Sequence, residues 1–392
     1  MPSWLPLLLG FLTAVGPVST DMYLPAFPAI ERSFGTPPGT AQITLAAWFA
    51  GLAIGQIAQG SLSDRFGRRW PLLVGTLLYT LASAGCALAP DVASLSVMRA
   101  IAAFGGSAGM VIPRAVVRDF ADGNAAARLM SQLMLVMGVA PVLAPSLGGL
   151  MLLVTDWHAI FWFGAGFGLL STVLVATVLP DTMPRERRTS LNLGGLATRY
   201  VGIARERGFI TNALAATMGS FGVFAYLGGS PGVFIDIFHL APVQYGMLFG
   251  MNSIAYIGCS QLNSRLLNRF GSSRLLSAAT RIYLVGGCAL AIAAFSGRGG
   301  VLAVLLPITL CMASQGLLFP NAIVGALSRH AGHAGTASAL MGTLQYGVGA
   351  ISGFLVGLVT DGTARPMAVL MLLGAIGAVL ADRARPKSLR SE

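Results

Sequence analysis

The sequence predicts an all-α membrane protein, with twelve transmembrane helices arranged as two six-helix bundles. Three observations carry that prediction. Of the 392 residues, 55% are apolar and only 10% are charged, and the mean hydropathy is +0.75. A soluble domain carries about 25% charge and cannot hide this much apolar surface. Apolar runs of helix length recur twelve times along the chain, and the second six echo the first. A soluble enzyme and a disordered chain are excluded, and the 50 glycines have no three-residue period that would suggest collagen.

In the first half the apolar runs lie at 4–28, 41–62, 71–90, 94–113, 129–152 and 158–179. Each has enough residues to cross a ~30 Å hydrocarbon core as a helix, and none alternates as a barrel strand would. The run at 4–28 has no basic residue before it, since the first is Arg32, and it is too long for the core of a signal peptide. The stretch at 180–208 is basic and contains Pro180, Pro184 and Gly194-Gly195. It is expected to be a cytoplasmic linker, partly helical, lying on the membrane surface. The second half has runs at 209–229, 243–264, 275–297, 300–322, 337–360 and 365–382. The expected domains are therefore 1–179, a linker at 180–208, and 209–392.

Charge sets the orientation. The net charge is +11, and Lys387 is the one lysine among 25 basic residues. Twenty of these fall in alternate loops and the two termini: Arg65, Arg68 and Arg69; Arg114, Arg118 and Arg128; Arg185, Arg187, Arg188, Arg199, Arg205 and Arg207; Arg265, Arg269 and Arg274; Arg329; and Arg383, Arg385, Lys387 and Arg390. Only Arg32, Arg298 and Arg365 fall on the opposite side, while Arg99 and Arg281 lie inside spans. The positive-inside rule then puts both termini in the cytoplasm of a multi-pass inner (plasma) membrane protein. This distribution explains the basic balance without a nucleic-acid partner. Cys86, Cys259, Cys288 and Cys311 sit in apolar runs with no C-x-x-C pair and read as free packing thiols, with no disulfide framework or metal site.

The halves are related by an offset of 204 residues. Asp64-Arg65-Phe66-Gly67 matches Asn268-Arg269-Phe270-Gly271, and Gly138 and Gly149 fall on Gly342 and Gly353. A repeat of six-span halves is the trace of a transporter whose site lies between two bundles.

Three motifs resemble those of the major facilitator superfamily. Gly60-Ser-Leu-Ser-Asp64-Arg65-Phe-Gly67-Arg68-Arg69 is similar to its loop 2–3 signature. There, Gly60 and Gly67 would allow close helix approach and a tight turn, and Asp64 would face a helix N-terminus. Leu95-Ser-Val-Met-Arg99, followed by Gly105 and Gly109, resembles the motif that places an arginine inside span 4. Such a charge is expensive in lipid, so it either faces the bundle interior or snorkels to the interface. Gly138, Pro141, Pro145, Gly148 and Gly149 in span 5 resemble the motif of the drug antiporter branch.

Longer segments are similar to the Bcr/CflA family of drug:proton antiporters, over about residues 4–382. They are Ser19-Thr-Asp21-Met-Tyr-Leu-Pro25, Arg114-Ala-Val-Val-Arg118-Asp119, Gly229-Ser-Pro231, Ser260-Gln-Leu-Asn263 and the stretch from Gly335 to Gln345. Two departures are visible: His158 follows Trp157 where the family usually has arginine, and Thr13 stands where some relatives carry a second acid.

The resemblance implies a twelve-helix major facilitator fold that exchanges external protons for internal small organic molecules by alternating access. It implies no cofactor and no enzymatic activity. Asp21 and Arg99 are the expected coupling residues. Asp21 is the one acid placed clearly within a span, where burial disfavours its charged form, although a turn residue before Pro25 would also fit. Asp64, Arg65, Arg68 and Arg69, with Gly60 and Gly67, would form the cytoplasmic gate. Gly138, Pro141, Pro145, Gly148 and Gly149 would shape a rocking interface. Tyr23, Phe49, Phe221, Phe224, Tyr256, Asn252, Gln315 and Gln345 are candidates for an apolar, weakly polar substrate cavity.

Gly228-Gly229-Ser230-Pro231-Gly232 matches a hydrolase G-x-S-x-G pattern, but at a helix end, and no paired nucleophile and base accompany it. His330 and His333 lack further metal ligands. The chain is expected to act as a monomer within the bilayer. An exporter of an amino acid, nucleoside or sugar is the alternative reading, and a membrane scaffold or sensor is a rival from another class.

Overall fold

The computed structural model describes residues 4–120, 123–183, 188, 193–328 and 334–386. His330 and His333, and the basic residues Arg185, Arg187, Arg329, Lys387 and Arg390, lie outside the described residues. The described chain is helical: α1 (Leu5–Thr13), α2 (Val15–Thr20), α3 (Phe27–Phe34), α4 (Ala41–Phe66), α5 (Arg69–Ala87), α6 (Val92–Phe120), α7 (Gly123–Val154), α8 (His158–Thr177), α9 (Leu193–Arg205), α10 (Arg207–Pro231), α11 (Pro242–Phe270), α12 (Ser272–Ser296), α13 (Gly300–Leu327), α14 (Ala334–Val359) and α15 (Arg365–Arg383). Eleven segments are long and apolar enough to cross a membrane. The twelfth expected span is α11, which has full length at 29 residues but a more polar composition.

The first span is broken where a continuous helix was expected at 4–28. It runs from Leu5 to Phe34 as α1, α2, a 3₁₀ turn at Leu24–Ala26 and α3. Pro17 and Pro25 have no N–H for the carbonyls of Thr13 and Asp21, which opens the helical ladder at both points. Residues 21–23 form a turn between the segments.

The chain divides into two compact units, one of Met1–Leu191 with Ala241–Met247, the other of Asn192–Leu240 with Leu248–Glu392. In the first, α6 packs against α4 and α5, α5 against α8, and α1 against α7. Glycine sets the closest approach. A Cβ on Gly75 would meet the Gly105 carbonyl oxygen at 2.8 Å, and one on Gly105 would meet the Gly75 carbonyl oxygen at 2.6 Å. Backbones approach this closely in membrane bundles only where side chains are small. In the second unit, α10 packs against α13, α14 and α15, and α12 against α13 and α15.

The sequence repeat recurs in the backbone. Gly67 precedes α5 with φ 87°, and Gly271 precedes α12 with φ 76°. Both turns need a conformation that glycine adopts without strain.

Candidate functional site

The break in the first span positions Asp21. This residue caps the C-terminus of α2 and is only 7% exposed. Among the described residues, no hydrogen-bond or ion-pair partner reaches its carboxylate. Gly148 of α7 lets that helix lie directly on the break, since a Cβ there would overlap the carbonyl of Met22.

Arg99 projects from α6 into the same unit and is 2% exposed, so it does not snorkel. Its Nη1 donates to the carbonyl of Ser19 at 2.8 Å. The guanidinium lies 4.4 Å from the Tyr23 ring centre, 4.5 Å from Trp48 and 5.8 Å from Phe161. Aromatic faces attract a cation strongly once water is excluded. Its Nε and Nη2 have no partner among the described residues. Tyr23 is held in turn by Thr44 and by the carbonyl of Ala41. Ser19 and Tyr79 share a hydrogen bond of 2.6 Å.

Tyr23, expected to line a substrate cavity, is therefore a wall of the arginine box. Phe161 and Tyr79 were not among the expected site residues. In a chain with 20 phenylalanines, 5 tryptophans and 8 tyrosines, nothing in the spacing singles them out. Phe49 is buried.

The basic loop between α4 and α5 is organised around one arginine. Arg68 is buried, and its Nη1 donates to Asp64 at 2.5 Å and to Ser63 at 2.9 Å. Its Nε donates to Asp119 at 2.9 Å. Burial works against its charge, but hydrogen bonds and attraction from Asp119 and Asp64 prevail and raise its pKa above the ordinary arginine value. Its backbone N–H donates to Asp181, which also pairs with Arg188 at 2.6 Å. Arg69 donates to the carbonyl of Ala176, and exposed Arg65 lies over Phe66. Gly67 makes the expected turn. Gly60 does not mediate the expected close approach: a Cβ there would meet only Val111, at 4.0 Å. In α7, Gly138 and Pro141 are half-buried, and Pro145, Gly148 and Gly149 are buried.

In the second unit Asn252 joins three helices. Its Nδ2 donates to the Tyr226 hydroxyl of α10 at 3.0 Å, and Thr309 of α13 donates to its Oδ1 at 2.7 Å. Gln315 is fully buried, and neither amide atom has a partner among the described residues. Tyr256 meets Phe319, and Phe224 meets Tyr346. Phe221 contributes its carbonyl to Ser352, and Gln345 is half-buried.

A family model described as the Major Facilitator Superfamily matches residues 9–354. The chain belongs to the major facilitator superfamily. It is 34% identical to the uncharacterized MFS-type transporter YdgK of Bacillus subtilis, over 94% of this chain and 92% of that one. It is 31% identical to a bicyclomycin resistance protein homolog of Haemophilus influenzae, over 96% and 94%. It is 30% identical to a chloramphenicol resistance protein of Pseudomonas aeruginosa, over 93% and 87%. These relatives put it in the Bcr/CflA-type branch of the superfamily. The fold is shared with the xylose transporter XylE from E. coli, at TM-score 0.72 and 16% identity over 97% of both chains. It is shared too with a peptide transporter, POT, at TM-score 0.76 and 14% identity over 97% and 93%. The chain is thus a multi-pass membrane transporter of small molecules and not an enzyme.

Proposed function

We propose that this superfamily member exports small organic molecules, of the kind named in its resistance-protein relatives, in exchange for protons. The observation that carries the reading is the carboxylate of Asp21, buried at a break in the first span with no partner among the described residues. An acid without an ion partner is free to alternate between charged and neutral forms, and an ionisable side chain within a span is the usual mark of a proton path. Discontinuous helices recur at the substrate and ion sites of transporters. Arg99 of α6 supplies a fixed positive charge beside the same break, held by the Ser19 carbonyl and the aromatic box. Substrate entering near the break would shift the balance at Asp21 and release its proton, which is the exchange step.

In this reading the chain works as a monomer in the inner membrane with both termini cytoplasmic. Residues 1–179 and 209–392 form the two moving halves, and 180–208 links them. Arg68 and its aspartates, with Arg65 and Arg69, belong to the cytoplasmic gate. Pro141, Pro145, Gly148 and Gly149 shape the rocking surface. Asn252, Gln315, Phe221, Phe224, Tyr256 and Gln345 offer the polar and aromatic contacts that a varied substrate range requires.

The test is substrate-stimulated proton release. The detergent-solubilised chain is mixed with a panel of drugs and metabolites in unbuffered solution containing a pH indicator. Release of about one proton per chain by a drug supports the reading. Release by metabolites alone transfers it to an endogenous exporter. No release by any compound refutes proton exchange.

A further inference from the structure

We propose that the second unit holds a site for a phosphate-type anion at its basic end, apart from any transport cavity. A cavity of about 150 Å³ is lined there by Asn212 of α10, Ser272 and Ser273 at the start of α12, Asn321 of α13 and Ser328 just after it, and Arg385 beyond α15. It is smaller than the roughly 300–1,000 Å³ of drug-binding pockets, so it suits a small ion or a single headgroup.

Two independent features point to an anion. The first turn of α12 opens on the cavity, and no side chain caps it. Unpaired backbone N–H groups at a helix start attract negative charge. The second feature is Arg385. Its side chain is only 3% exposed, so it is not the headgroup-level cation that its position near the chain end suggests. It donates to the Ser273 hydroxyl and carbonyl at 3.1 and 3.2 Å, to Ser277 at 2.9 Å, and to Asp382. Its Nε is buried without a partner among the described residues.

The repeat sharpens the case. In the first unit Arg68 stands just after the turn glycine and is matched by two acids, Asp64 and Asp119. At the same offset the second unit has Asn268 and Ile323 in place of those acids and Ser272 in place of the arginine. The positive charge arrives instead from Arg385, with Asp382 as its one acid partner among the described residues. Arg269, Arg274 and Arg383 lie close by in sequence, so the surroundings remain basic. Basic pockets between transmembrane helices bind lipid headgroups by this chemistry. Inorganic phosphate offers the same oxygens.

The experiment uses the full purified chain and two probes. Inorganic phosphate is titrated by calorimetry in detergent. Retention of phosphatidylglycerol against phosphatidylcholine is read by native mass spectrometry. Two variants are compared with the unchanged chain. Arg385→Gln removes the cation. Ser272→Glu puts a carboxylate at the first position of α12, where it favours the helix and competes with the anion, so it remains informative if Arg385→Gln does not fold. Saturable phosphate binding that weakens at least tenfold in Ser272→Glu supports a free-ion site. Selective phosphatidylglycerol retention that is lost in Ser272→Glu supports a headgroup site. The proposal is overturned if the unchanged chain binds neither probe selectively, or if Ser272→Glu binds both as well as it does.

Discussion

Replacing Asp21 by Asn tests coupling most directly. The side chains are nearly the same size, and no described residue forms an ion pair with Asp21, so the change leaves no orphaned cation. Folding and the binding of neutral substrates should therefore be retained. The energetic consequence follows from one proton moving per substrate in the proposed cycle. One proton crossing about 100 mV carries ~2.3 kcal/mol, and one pH unit adds ~1.4 kcal/mol. The sum, ~3.7 kcal/mol, sustains a neutral-substrate gradient on the order of 500-fold. Asn imitates only the protonated state, so the gradient should collapse to about unity. The assay is substrate accumulation in proteoliposomes with an imposed pH gradient and a potassium diffusion potential. Asp21→Glu, which keeps a titrating group, should retain part of the response. If Asp21→Asn still concentrates substrate about tenfold or more, the proton travels by another route and Asp21 is structural.

Other outcomes are equally specific. Arg99→Ala loses a charge-assisted hydrogen bond and its ring contacts, and transport should fall at least about tenfold; Arg99→Lys keeps the charge but not the planar fork, so rescue should be partial at most. Wild-type transport rates in Arg99→Ala would reduce the box to packing. Arg68→Ala should lower thermal stability by about 1–2 kcal/mol, a figure discounted because Asp64 is half exposed, and adding Asp119→Ala should then change little more. Asp91 and Ser94 form a reciprocal cap at the start of α6, and the backbone and side-chain hydrogen bonds from Ser94 lower the Asp91 pKa. The cap's stabilisation should be present at neutral pH and disappear as pH falls through that lowered pKa, on the acid side of the ordinary aspartate value. Lower protection factors for the first-turn amides of α6, with intrinsic exchange rates divided out, at low pH or in Asp91→Ala at neutral pH, check this.

The spans were legible because a 20-residue apolar run has few other uses, and the paired glycine turns were legible from the repeated Arg-Phe-Gly. The break at residues 21–23 was encoded by Pro17 and Pro25, yet hydropathy averages over such local geometry. The penalty for a charge in lipid left Arg99 either buried or snorkelling, and it did not reveal the aromatic box, because Trp48 and Phe161 come from distant spans and resemble any other apolar ring. Arg385 was misleading for a related reason. Charge counting treats every terminal arginine alike, whereas this one folds back onto Ser273 and Asp382.

The polarity of α11 bears on how the chain is assembled as it is synthesised. Its Asn252 bonds to Tyr226 on α10, which is made earlier, but also to Thr309 on α13, and its Asn263 accepts from Asn321 on that same later helix. Insertion machinery admits helices by their apolarity, and α11 offers less of it than its neighbours. When α11 leaves the ribosome, two of its buried amide groups still lack partners that lie more than forty residues downstream. Its residence in lipid is therefore provisional until α13 arrives. A chain halted before Thr309 would expose those amides, and that gives a quality-control system a chemical mark by which to recognise an unfinished transporter.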